Sequence, residues 1–162
     1  MKILVATDGS RSAQAAIRFG AKLAASCRKA DLIILTVSTL ATDLRLLFPA
    51  DVRSLVPRRE LARIERSALR RRLNEAVRGI RKGSMKVRTH LLDPKIPVNL
   101  ADAILREADR ERADLIVVGS SGRGGFLNWV LGSVAQHLVT HAHRPVAIVR
   151  PSRAQGKRKA AA

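Results

Sequence analysis

Gly119-Ser120-Ser121-Gly122 is followed, after nine intervening residues, by Gly132-Ser133, and this array suits the holding of an anion. Glycines at a strand end let backbone amides approach a ligand with no side chain in the way. Gly132-Ser133 stands where a helix begins, and there unpaired N–H groups and the helix dipole favour a phosphate. The pattern predicts a nucleotide cradle built mainly from backbone, with Ser133 as a hydroxyl donor. A structural glycine turn followed by a Ser N-cap satisfies the same residues. The commoner phosphate motifs are absent: the chain has no GxxxxGK[ST], and no GxGxxG follows its first strand.

A second polar turn, Thr7-Asp8-Gly9-Ser10, closes the first apolar run. Asp8 reads either as a ligand contact or as a turn or cap residue for the helix after it. A carboxylate beside a triphosphate is repelled unless Mg2+ intervenes or it faces ribose hydroxyls, and the residues leave both arrangements open. Arg123, inside the glycine loop, either pairs with a phosphate oxygen or points to solvent. Trp129 reads as an apolar anchor of that loop ahead of a stacking ring. His137 and His141 are four apart, but two imidazoles with no acid or Cys in sequence reach fall short of a metal set. His90 and His143 read as solvated or capping, and Cys27 as a small buried apolar side chain. No nucleophile with a base and an orienting acid can be assembled, so no catalytic residue is expected.

The elements that must position these turns follow from hydrophobic period. Lys2 to Ala6 is a short apolar run, and Ser12 is placed to cap a helix to about Ser26. Leu32 to Val37 is apolar on both parities, as in a strand buried on both faces. Ser38 to Pro57 has no sustained period and reads as a long connection with one short helical turn near Leu44 to Phe48. Arg58 to Lys82 reads as a helix ended by Gly83, with Leu61, Ile64, Leu69, Leu73, Ala76, Val77 and Ile80 as its apolar stripe. Met85 to Leu92 alternates like a strand near a sheet edge. Asp93 to Asn99 is a loop, Leu100 to about Arg112 a helix, Leu115 to Val118 a strand, Ser133 to about Thr140 a helix and Val146 to Val149 a last strand. Alternation of strand and helix implies a mostly parallel α/β sheet with helices on both faces. In such sheets ligands bind beyond the carboxyl ends of the strands, where the winding reverses.

Composition narrows the function classes. With 162 residues and 46% apolar content, the chain is sized for one domain with an ordinary core. The lone Cys27 closes no intrachain disulfide and fits a reducing cytoplasm. The opening apolar run is too short for a signal peptide, and no stretch reads as a membrane span. Charge is the outlier at +18. From Val52 to Arg88 there are 13 basic residues against Glu60, Glu65 and Glu75, and from Arg150 to Ala162 five against none. The arginine-rich helix is either a solvated face or a surface for nucleic acid or another polyanion, bound without sequence specificity. Residues 151–162 read as a basic, low-complexity, disordered tail.

The Gly-x2-Gly-x9-Gly-Ser array, preceded by Ala113-Asp114-Leu115-Ile116-Val117-Val118, resembles the nucleotide-binding signature of the universal stress protein family, in its ATP-binding branch. Ile3 to Ser10 resembles that family's opening strand and turn, and His141 to Val149 its closing segment. The resemblance runs over residues 1–150 in element order and is densest at both ends. It implies a single doubly wound sheet of five parallel strands, order 3-2-1-4-5, Rossmann-like and similar to the adenine nucleotide alpha hydrolases. Both polar turns then meet at one cleft. Residue by residue, it places Ala6, Thr7 and Asp8 near the adenosine and Val37 against the base. It sets Val118 and Gly119 along the cleft, Gly122, Gly132 and Ser133 on the phosphates, and Val134 just after them. Ala6 departs from the proline often found there, which removes a stiff wall but no polar contact. The implied function is a cytoplasmic ATP-binding sensor or regulator of the stress response, ATP entering with or without Mg2+ and hydrolysed slowly at most. Val146-Ala147-Ile148-Val149, short and apolar, is an edge that needs a cover. The resemblance makes that cover the same strand of a second subunit, in a homodimer centred on Ala147 and Ile148.

Overall fold

The computed structural model describes residues 1–40, 57–80, 85–94, 98–122 and 131–151. Five strands form one sheet: β1 (Lys2–Ala6), β2 (Asp31–Val37), β3 (Lys86–Leu92), β4 (Leu115–Gly119) and β5 (Val146–Val149). Their order is β3-β2-β1-β4-β5 and every pairing is parallel. The four helices of the described residues are α1 (Arg11–Ser26), α2 (Arg58–Arg78), α3 (Leu100–Glu111) and α4 (Ser133–His141). Winding runs outward from β1 through β2 to β3, then restarts at β4, so β1 and β4 lie side by side at the reversal. The α/β class and the 3-2-1-4-5 order are as expected.

Each sheet face carries its own apolar layer. Alternate residues of the central strands, Leu4, Leu35, Ile116 and Val118, pack beneath α3 and α4, with Ile104 and Leu138 above them. The other parity, Ile3, Val5, Leu32, Ile34 and Val117, packs beneath α1 and α2, with Ile17 and Leu73 above. This explains why β2 reads apolar on both parities: Leu32 to Leu35 are fully buried because both faces are covered.

Two helix boundaries differ from the sequence reading. The N-cap of α1 is Ser10, whose side chain accepts the Ala13 N–H, and Ser12 lies inside the first turn. The last helical residue of α2 is Arg78, with Gly79 as its C-cap, four residues short of Lys82. Of its stripe, Leu69 and Leu73 are buried, Leu61, Ala76, Val77 and Ile80 are half-buried, and Ile64 is 56% exposed. The Leu44 to Phe48 turn, Gly83 and the 152–162 tail lie outside the described residues. No helix of the described residues is long and apolar enough to cross a membrane.

Candidate functional site

The reversal between β1 and β4 brings the two polar turns together. A cleft of about 140 Å³ opens there at the carboxyl ends of the strands. Ala6, Thr7 and Asp8 form one side of it, and Val118, Gly119 and Gly122 the opposite side. Gly132, Ser133 and Val134 close the end, and Val37 stands at the inner wall. All these residues were expected at the site. Arg123 and Trp129 lie outside the described residues.

Backbone proximity accounts for the glycines. A Cβ on Gly119 would stand 2.6 Å from the Ser12 backbone carbon, so this glycine seats the start of α1 against β4. A Cβ on Gly132 would lie 3.2 Å from the Ser121 Cα, where the two halves of the loop meet. The Gly132 N–H donates to the Ser120 carbonyl at 2.9 Å, which fixes that junction. Gly132 is also the N-cap of α4, and no side chain caps the helix. The first-turn amides of α4 therefore face the cleft as donors for an anion. Ser133, the first residue of α4, is exposed beside them.

Asp8 is a turn residue that also lines the cleft. Its Oδ1 accepts the Ser10 N–H at 2.9 Å, as a turn residue does. Its Oδ2 faces the loop, 3.3 Å from where a Cβ on Gly122 would be. The Thr7 Oγ1 accepts the Gly9 N–H at 3.2 Å, so Thr7 shapes the turn from below.

Several site residues escaped the sequence reading. The buried Ser12 hydroxyl donates to the Ser121 carbonyl, with Ser10 at 3.0 Å from Ser12 Oγ. These serines clamp the glycine loop to the start of α1, and Ser10-x-Ser12 at a helix start was the available signal. Leu100 and Ile104 of α3 supply an apolar wall with Val37. That wall depends on α3 crossing over β2, which no local pattern encodes.

The histidines lie away from the cleft. His90, expected to be solvated or capping, has its Nδ1 2.7 Å from the Glu107 carboxylate. His137 has an acidic partner absent from its sequence neighbourhood, Asp102 of α3 at 2.8 Å, and its ring stacks on His141. His90, Glu107 and Glu111 bring their ligand atoms within 4.8 Å of one another. Their carboxylates are engaged by guanidiniums, Glu107 by Arg110 at 2.5 Å and Glu111 by Arg88 at 2.9 Å. Arg110, and then His90, hold the Glu107 carboxyl below its ordinary range despite its burial. A larger groove of about 820 Å³ lies on the other sheet face between α1 and α2, floored by Ile17, Leu69, Leu73 and Met85. It touches Thr7 and Asp8 but none of the Gly119 to Ser133 residues, so the smaller cleft is the candidate site.

Comparison with known proteins agrees with this fold. The chain is 38% identical over 66 residues to universal stress protein MJ0531 of Methanocaldococcus jannaschii, a match covering 41% of this chain and 36% of that one. It spans only about a third of the length of the curated relatives it matches. The solved structure of the hypothetical protein MJ0577 superposes with a TM-score of 0.74 at 21% identity, over 96% of this chain and 97% of that one, and shows the shared fold. A universal stress protein in complex with cAMP superposes with a TM-score of 0.62 at 27% identity, over 94% and 98% of the two chains. The model of the universal stress protein family matches residues 1–150, every strand of the sheet included, and the chain therefore belongs to that family.

Proposed function

We propose that this protein binds an adenine nucleotide, ATP in the first instance, in the cleft between β1 and β4, and that it acts as a sensor or regulator. The observation that carries the reading is the meeting of Gly122, Gly132 and the uncapped start of α4 with Asp8 across one reversal point. The relative solved with cAMP supports an adenine nucleotide as the ligand class. Val37, Leu100 and Ile104 offer the adenine an apolar slot. Asp8, already oriented by the Ser10 N–H, accepts from ribose hydroxyls through its other oxygen. The α4 amides and the Ser133 hydroxyl hold phosphate oxygens. Mg2+, if it accompanies ATP, offsets charge on the phosphates. Among the described residues lining the cleft, Asp8 is the one carboxylate.

Titration calorimetry of nucleotide-stripped protein tests this. ATP with Mg2+ is expected to bind, and Gly122→Val to abolish binding by driving side-chain carbons against Asp8. Absence of heat for ATP, AMP and cAMP alike at millimolar concentration overturns the reading.

We also propose a homodimer through β5. Val146, Ala147, Ile148 and Val149 are all half-buried, and among the described residues β5 pairs only with β4. Its free edge matches what a two-fold, antiparallel partner strand covers.

A further inference from the structure

The nucleotide reading leaves the arginines of α2 unused. Of its three glutamates, Glu65 turns away from solvent toward the end of β2, accepting from the Ser38 hydroxyl at 2.5 Å and the Thr39 N–H at 3.3 Å. Glu75 lies at the groove shared with α1. The sequence places these acids where they would relieve the arginines, but the structure withdraws Glu65 from the outer face, and the exposed Glu75 forms no ion pair among the described residues. There Arg59, Arg63, Arg66 and Arg70 recur with helical spacing along one flank, and Arg71 and Arg78 follow seven apart along the crest. Glu60 pairs with Arg63 at 2.6 Å, and Asp93 with Arg66 at 3.3 Å. Arg59, Arg70, Arg71 and Arg78 are exposed and form no ion pair among the described residues. The row from Arg59 to Arg78 is about 28 Å long at the rise of an α-helix.

We propose that this face of α2 is a docking surface for the phosphate backbone of duplex nucleic acid, bound without regard to sequence. Three observations select that partner. Unpaired guanidiniums on two adjacent lines of a rigid helix, Arg59 and Arg70 on the flank and Arg71 and Arg78 on the crest, can reach the regular phosphates of a duplex, which arginine engages through paired donors. The helix carries no aromatic residue, so it offers single strands no stacking platform. Its apolar stripe is spent on the sheet at Leu69 and Leu73, and the exposed Ile64 is a lone apolar side chain, so nothing is available to insert into a membrane. The α2 face lies on the opposite side of the sheet from α3 and α4, whose walls form the cleft. No arginine of α2 lines the cleft among the described residues, so this inference stands independently of the nucleotide reading.

Fluorescence anisotropy with a short labelled duplex of mixed sequence, titrated between about 50 and 200 mM salt, tests it on the full chain. Four uncompensated arginines predict that log affinity falls with log salt at a slope of about −3 to −4 or steeper, since each neutralised phosphate releases counterions. The combined variant Arg59→Gln/Arg70→Gln/Arg71→Gln/Arg78→Gln keeps strong helix formers at every site. It should lose about three from the slope and at least tenfold in affinity at the low-salt end. An unchanged circular dichroism melt shows that the fold survives. A tail variant, Lys157→Gln/Arg158→Gln/Lys159→Gln, separates the other basic segment and should retain most of the binding. The proposal is overturned if the helix variant binds duplex as wild type does, if the tail variant alone abolishes binding, or if an oligothymidine strand or phosphatidylglycerol vesicles bind more tightly than duplex.

Discussion

At the scale of single residues, Gly119 and Glu107 show how little a local pattern says about cost. Gly119 reads as a ligand-facing glycine, yet the nearest atoms to its absent side chain are the Ser12 carbonyl carbon and hydroxyl and the Ala13 nitrogen. Neither backbone atom can move without displacing the start of α1. Gly119→Ala is therefore expected to destabilise the fold by about 1–3 kcal/mol through overpacking, a fall in Tm of roughly 3–10 °C for a domain of this size. A thermal melt within a degree of wild type would show that α1 yields at no cost. Glu107 is 4% exposed and receives the Arg110 guanidinium and the His90 ring. Its carboxyl is held below the ordinary range, so its contribution is complete above that range and is lost as pH falls through the lowered folded value. Glu107→Gln should thus be less stable than wild type at neutral pH, by about 1 kcal/mol given the exposure of Arg110. The gap should close below about pH 4. Urea unfolding at both pH values checks it, and a gap that widens in acid contradicts the assignment.

At the scale of elements, the cleft depends on the start of α1 being tied to the loop after β4. The Ser12 hydroxyl makes that tie through the Ser121 carbonyl, with Ser10 capping the helix beside it. Ser12→Ala leaves the half-buried Ser121 carbonyl with only the longer Ser10 hydroxyl contact at 3.5 Å and is expected to cost about 1 kcal/mol. If the tie also holds the loop in place for a nucleotide, affinity should weaken several-fold while the sheet remains intact. Calorimetry of binding beside urea unfolding separates the effects. Loss of stability with unchanged affinity would make the serine clamp purely structural. The termini of α3 illustrate the same dependence: the Asn99 side chain accepts from the Ala101 and Asp102 N–H groups, and Arg112 closes the helix in the left-handed region at φ 52°. With both ends fixed, Leu100 and Ile104 are delivered to the cleft wall.

At the scale of the whole molecule, the proposed dimer sets β5 against itself. Ile148→Lys puts a charge with no acidic partner in the strand at the centre of that contact, which is expected to split the dimer. Sedimentation equilibrium reads the result directly. A wild-type protein that stays at 17.7 kDa at micromolar concentrations ends the dimer proposal. The basic face of α2 does not oppose association strongly, because exposed charges more than about 8 Å apart are largely screened at physiological salt. β3 and β5 are the two sheet edges, and α2 covers the β3 side of one face while β5 lies at the far end.

The order of elements, the parallel sheet and the residues of the two polar turns were legible in the sequence, because each rests on a period or a spacing confined to a short segment. Apolar residues on both parities of β2 can only mean cover on both faces, and Gly-x2-Gly-x9-Gly-Ser keeps its meaning wherever the chain places it. What escaped was the set of side-chain contacts made across elements. The clamp from Ser12 to Ser121, the wall from Leu100 and Ile104, and the partners of His90 and His137 join residues far apart in the chain. Their meeting is fixed by the sheet order and by which face each helix covers, and no period records it. Helix ends were misread for a related reason. A cap is chosen by backbone geometry, so Ser10 rather than Ser12 starts α1, and α2 stops at Arg78 although its apolar spacing continues to Ile80. The sequence alone determined which chemistry the turns can offer, since donor types and glycine spacing are properties of the chain. The tertiary structure decided that the turns share one cleft, because only the reversal of winding between β1 and β4 brings residues more than 100 positions apart into reach of one ligand.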